Sequence, residues 1–94
     1  MKSKRIIDKE LIATYHDKPC EVCGAYYPVS AHHLKTVGSG GNDIDDNLLA
    51  LCITHHTEVH QSGLNAFLFK YPHVKKTCAD KGWAFDKFLE KWVG

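Results

Sequence analysis

No run of apolar residues in this 94-residue chain approaches the length that a helix needs to cross a bilayer, so a helical membrane anchor is not expected. Low-complexity stretches and internal repeats are also missing, which argues against a chain disordered throughout. Charge of one sign is lacking as well. Twelve Lys and Arg against eleven Asp and Glu leave a net charge of +1, so composition carries none of the strongly basic balance that marks many nucleic-acid binders. The chain is too short for a second independent core, and one compact domain is expected in which a structural metal would relieve a shortage of apolar burial. Met1–Arg5 lead into Ile6-Ile7-Asp8-Lys9-Glu10 instead of an apolar signal-like segment, which points to the cytoplasm.

What the chain does hold is four cysteines and seven histidines in an otherwise ordinary globular composition, 44% hydrophobic and 24% charged. In a reducing compartment, cysteines beside histidines argue for metal binding over disulfides. The charges are uneven. Lys2, Lys4 and Arg5 open the chain, Lys70, Lys75, Lys76 and Lys81 lie in its last third, and Asp43, Asp45 and Asp46 fall between. Such runs read first as solvated faces, with local basic patches as the alternative.

Three segments follow from periodicity and punctuation. Residues 1–18 carry Ile6, Ile7, Leu11 and Ile12 at helix-like intervals and read as a short amphipathic helix or an arm. In residues 19–62, Pro19 stops any helix and Cys20-Glu21-Val22-Cys23-Gly24 suits a tight turn with Gly24 at positive φ. Val29 to Leu34 and Leu48 to Leu51 read as strands around the polar loop Gly38-Ser39-Gly40-Gly41-Asn42-Asp43, which no regular element would tolerate. That loop is long for a hairpin, and long loops are often functional. A helix follows, with Thr54 as its cap and His56, Val59 and His60 on one face. In residues 63–94, Leu64 to Tyr71 and Val74 to Lys81 read as helices, and Phe85, Phe88, Leu89 and Trp92 predict a closing amphipathic helix. These aromatics and Trp83 are expected in the core.

Cys20-x-x-Cys23 and Cys52-x-x-His55 are two pairs at the spacing by which a knuckle turn aims two side chains at one ion. Thiolates and imidazole are the donors that tetrahedral zinc prefers. A lone pair would also suit a redox dithiol, but a second pair exists and no helix opens between the first two cysteines. His56 is the alternative fourth ligand, and Cys78, without a partner at ligand spacing, reads as a small core residue.

With those ligands set aside, His32, His33, His56 and His60 remain close in sequence, with Asn47 between them. His56 and His60 project from one side of a helix, whereas His32 and His33 point to opposite faces of a strand, so one can coordinate while the other acts as a base. Phosphodiester hydrolysis needs an activated water and a positive centre, which a neutral imidazole and a divalent cation can supply. An asparagine amide can fix the ring of the base.

The ordered set Cys20-x-x-Cys23, Ala31-His32-His33, the Gly-rich loop, Asn47 to Cys52, and His55-His56-x-x-x-His60 resembles the HNH endonuclease family over about residues 19–62. It looks most like the short free-standing members carried by phages and mobile elements. The resemblance implies an α+β domain with a ββα-metal (His-Me finger) core, zinc knuckles and short flanking helices. It further implies that His32 binds a catalytic cation with His56 and His60, that His33 is the general base, and that Asn47 orients it. Structural Zn²⁺ on Cys20, Cys23, Cys52 and His55, catalytic Mg²⁺, Mn²⁺ or another divalent cation, and double-stranded DNA as partner follow in the same way. Two features depart from the common pattern: the second knuckle ends in His55 instead of cysteine, and His32 stands where aspartate is frequent. Imidazole there admits softer cations. Lys35, two residues past the base, is a candidate phosphate contact or a solvated lysine. The competing expectation is a non-catalytic zinc-stabilised nucleic-acid-binding module. A third is a protein-interaction domain using Trp83, Phe85, Phe88 and Trp92.

Overall fold

A computed structural model describes residues 5–94; Lys2 and Lys4 of the opening basic run, like the first residues of the expected arm, lie outside the described residues. The fold is mixed α+β. Helix α1 (Lys9–Tyr15) is followed by strand β1 (Val29–His33), strand β2 (Leu48–Cys52), and helices α2 (Ile53–Ser62), α3 (Leu64–Lys70) and α4 (Pro72–Asp80). Strands β3 (Ala84–Asp86) and β4 (Lys91–Val93) close the chain. No described helix is long and apolar enough to cross a membrane.

The antiparallel pair β1 and β2 is the centre of the molecule, in a register that sets His33 opposite Leu48, His32 opposite Leu49 and Val29 opposite Cys52. Every residue of β2 is buried, and Leu48, Leu49 and Leu51 are fully so. They share one core with Val59 of α2, Phe67 and Leu68 of α3, and Val74 and Cys78 of α4. Each leucine so enclosed contributes about 1.5–3 kcal/mol relative to an exposed one, which makes the strand beneath the site stiff. Cys78 is a core residue as expected, its thiol pushed up to about 11 by burial.

Most element boundaries follow local chemistry. Asp8 caps α1 by accepting the Leu11 N–H at 3.0 Å. Gly63, at φ 84°, separates α2 from α3. Pro72 at the first turn of α4 starts that helix earlier than the expected Val74, since a missing N–H costs nothing there. Thr54 does not cap α2: the helix begins at Ile53, Cys52 holds the cap position, and no side chain bonds the first turn. The connection between β1 and β2, which includes the Gly-rich stretch, contains short 3-10 turns at Val37–Ser39 and Asp45–Asn47 instead of being wholly irregular. Within it Gly41 has no alternative, because a Cβ there would overlap the carbonyl of Lys35.

The largest correction concerns the tail. Residues 84–93 form a hairpin, not an amphipathic helix. Asp86 Oδ1 accepts the N–H groups of Phe88 and Leu89, and Glu90 takes a left-handed φ of 53°, so the chain turns where a helix would continue. Phe85 and Trp92 pair across the strands with ring centroids 6.1 Å apart. The expectation that these aromatics lie in the core is corrected too: Phe88 is fully exposed and Phe85 is 44% exposed, while Trp83 and Trp92 pack partly against the core. The charge runs are likewise not all solvated. Asp43 is buried, Lys81 donates to the carbonyls of Asp45 and Leu48, and Lys70 pairs with Glu58 at 2.8 Å.

Buried Tyr15 anchors α1 by donating its hydroxyl to Asp45 Oδ1 at 2.6 Å. Burial, reinforced by the Asp45 carboxylate, holds the phenol well above its ordinary value. A group whose folded form keeps its proton longer contributes stability that is present below the unfolded pKa near ~10 and is lost as pH rises beyond it. The unfolding midpoint should therefore fall steeply above about pH 10. Tyr15→Phe should cost roughly 1 kcal/mol at neutral pH and flatten that alkaline slope; an unchanged slope would show that Tyr15 is not its source.

Candidate functional site

The Cys20–Cys23 turn is shaped by the backbone. The Cys20 N–H donates to Ala25 O at 2.7 Å, the Gly24 N–H returns to Cys20 O at 2.9 Å, and Gly24 adopts the expected positive φ of 76°. The Glu21 N–H donates to Ala50 O at 2.8 Å, tying the turn to β2, and His73 Nε2 of α4 reaches the carbonyls of Glu21 and Val22. Cys52 ends β2 and His55 lies in the first turn of α2, so strand, helix and turn converge on one point.

There the donor atoms of Cys20, Cys23, Cys52 and His55 all lie within 4.8 Å of one another. Cys23 Sγ is 3.8 Å from Cys52 Sγ, and His55 Nδ1 is 3.2 Å from Cys52 Sγ and 3.7 Å from Cys20 Sγ. Tetrahedral bonds of about 2.3 Å separate two sulfurs by about 3.8 Å, so the cluster has the dimensions of a zinc site. Its electrostatics agree. Burial pushes the Cys20 thiol up, but N–H groups of Cys52, Cys23 and Val22, with the His55 ring, outweigh it and bring the pKa to about 6. The Ala25 N–H favours a Cys23 thiolate, yet desolvation and the sulfurs of Cys20 and Cys52 push that thiol up overall. Neighbouring sulfurs resist joint ionisation until a cation shares their charge. His55, not His56, completes this set.

A second cluster forms where α2 faces β1. His32, His56 and His60 bring one ring nitrogen each within 4.8 Å of the others. Their ring centroids are 5.1 Å apart for His32 and His56, 5.2 Å for His32 and His60, and 4.9 Å for His56 and His60. Burial, then the neighbouring His56, His60 and His33, lower the His32 pKa to about 4, and burial likewise lowers that of His56. Both rings are therefore neutral at cellular pH, the state in which imidazole donates a lone pair to a metal. Ser30 Oγ lies 2.9 Å from His56 Nδ1 and fixes that ring. Beside the cluster an open groove of about 430 Å3 is lined by His16, Ser30, Ile53, His56, Thr57 and His60. His16 reaches it from the end of α1, held by donating Nδ1–H to Val29 O at 2.8 Å.

Strand alternation separates the adjacent histidines as expected: His32 is buried with the cluster, and His33 turns toward the Gly-rich loop. There His33 Nε2 donates to Asp43 Oδ1 at 2.8 Å. Asp43, which no motif or spacing singles out, also accepts from Arg5 Nη1 at 3.1 Å and from the Asp8 N–H at 2.9 Å. The His33 hydrogen bond leads these contacts in holding its carboxyl below the usual range.

The expectation that Asn47 fixes the His33 ring is corrected. Its Oδ1 accepts the Lys35 N–H at 2.7 Å, and its Nδ2 donates to Lys35 O at 3.1 Å and Asn42 O at 2.9 Å. Asn47 therefore closes the base of the loop that delivers Asp43, and acts on His33 only through that loop. Lys35 is exposed and lines a different groove, with Asn42, Asp46, Asn47, Lys81 and Trp83, away from the His56 and His60 groove.

Comparisons of the chain with protein-family models, curated proteins and solved structures return no match.

Proposed function

We propose that the chain is a divalent-metal-dependent endonuclease of the HNH type, hydrolysing phosphodiester bonds of double-stranded DNA. The observation that carries this reading is the pair of distinct metal-sized donor sets that diverge at the consecutive residues His55 and His56, with a further histidine, His33, on the adjacent strand position and outside both. A purely structural zinc domain needs only the first set. The order of elements supports the reading as well, since β1, β2 and α2 form a hairpin followed by a helix, the arrangement of a ββα-metal core.

Cys20, Cys23, Cys52 and His55 hold structural zinc in this reading, and His32, His56 and His60 hold Mg²⁺, Mn²⁺ or a softer divalent cation. When bound in the second set, the cation supplies positive charge to the phosphate and the leaving oxygen. His33 accepts a proton from the attacking water, whose oxygen bonds to phosphorus as the ester oxygen leaves. Ser30 keeps the His56 ring oriented, and Asn47 keeps the loop closed beneath His33. The groove beside His56 and His60 gives a backbone phosphate a place to lie.

The test is conversion of supercoiled plasmid to nicked or linear product by the zinc-loaded protein with added Mg²⁺, Mn²⁺ or Zn²⁺. Cation-dependent cleavage is the expected result. Tight DNA binding without cleavage under any cation would replace this reading with a zinc-stabilised binding module.

A further inference from the structure

Asp43 is a carboxylate buried in the loop between β1 and β2, only 4% exposed. Its surroundings form a closed set. Oδ1 receives His33 Nε2 and Arg5 Nη1, and Oδ2 receives the Asp8 N–H. The Asp43 N–H donates to Ile6 O at 2.8 Å, and the Ile6 N–H donates to the neighbouring Asn42 Oδ1 at 2.7 Å. Residues 5–8 thus run alongside residues 42–43 as a strap, bonded at four places. The far end of the loop is fixed by Asn47, whose amide reaches Asn42 O. A carboxylate held so firmly is a poor candidate for a mobile surface charge and a good one for a positioning group.

Resting on the nuclease reading, we infer that Asp43, locked by the strap of residues 5–8, is the positioning residue for His33 and determines which ring nitrogen takes the proton from water. The reasoning is one of donors and acceptors. An ionised carboxylate can only accept, so the hydrogen shared with it belongs to His33 Nε2. In the neutral ring the lone pair is then on Nδ1. Nδ1 receives the proton of the attacking water, and the imidazolium that results is paired with Asp43 through Nε2–H. The leaving ester oxygen takes its proton from solvent. Asp43 touches neither water nor phosphate in this scheme; it acts through the ring it holds.

An amide in place of the carboxylate changes this logic without changing shape. The NH₂ group of Asn can donate to Nε2, which moves the ring hydrogen to Nδ1 and removes the base. Two-bond proton–nitrogen spectra of the zinc-loaded full chain near pH 8 read the tautomer of His33 directly, independent of cleavage. The wild-type ring should carry its hydrogen on Nε2, and Asp43→Asn should shift population toward Nδ1–H. Cleavage by Asp43→Asn should show kcat lower by about 10–100-fold, with KM for DNA within a factor of about two and zinc content unchanged. Arg5→Met, which spares the carboxylate, should keep the wild-type tautomer and lose no more than about threefold in kcat. A wild-type ring with hydrogen on Nδ1 overturns the inference without requiring any variant to fold, as does full kcat in Asp43→Asn. A wild-type ring protonated on Nε2 in a protein that cuts nothing overturns the nuclease reading, and with it the catalytic consequence drawn for Asp43.

Discussion

Replacing His33 with alanine should reduce plasmid cleavage by about 10²–10⁴-fold, the span that a positioned general base contributes. Zinc content and DNA affinity should stay close to wild type, because the His33 ring belongs to neither donor set and, among the described residues, is hydrogen-bonded to the Asp43 carboxylate. Asp43 keeps Arg5 and the Asp8 N–H as partners when the ring is gone, so the loop should remain in place. The comparison that decides is single-turnover cleavage against binding, measured on the same preparation. Cleavage within tenfold of wild type would transfer the base to another group, with His16 in the adjoining groove the first to examine.

Cys52→Ala, and equally Cys20→Ala, should unfold the domain. A structural zinc contributes about 10–16 kcal/mol of apparent binding free energy, as much as or more than the whole stability of about 5–15 kcal/mol expected of a small domain. Cys52 lies where β2 becomes α2, so losing it also frees the start of the helix that carries His55, His56 and His60. Circular dichroism and zinc stoichiometry together read the result. A folded, zinc-free Cys52→Ala protein would mean that the core of Leu48, Leu49, Leu51 and Phe67 suffices alone.

How far these features could be read from the chain depended on the range of the interactions. The two ligand pairs, the strands and the helix between Cys52 and Gly63 are written in spacings of one to four residues, and the structure places them where those spacings point. The choice between His55 and His56 was open because both lie in one helix turn. It is resolved by the position of Cys20 and Cys23, far away in sequence. In the tail, Phe85, Phe88, Leu89 and Trp92 fit offsets of three, four and seven, while the turn that breaks the pattern rests on the Asp86 side chain and the left-handed Glu90. Asp43 stayed hidden because its partners Arg5 and Asp8 lie more than thirty residues earlier, and an aspartate beside glycines reads as an ordinary turn former. Asn47 lies in the neighbourhood that its spacing predicts but makes a different contact, since an amide serves a backbone loop as readily as a ring.

The consecutive residues His55 and His56 leave α2 toward different donor sets, about 100° apart around the helix axis. Inserting or deleting a single residue between Cys52 and His55 would turn both sets out of register together. The two sites therefore share one reading frame in space as well as in sequence. The histidine cluster can be neither transplanted nor tuned by helix rotation alone, and a designer borrowing it would have to carry the knuckles with it.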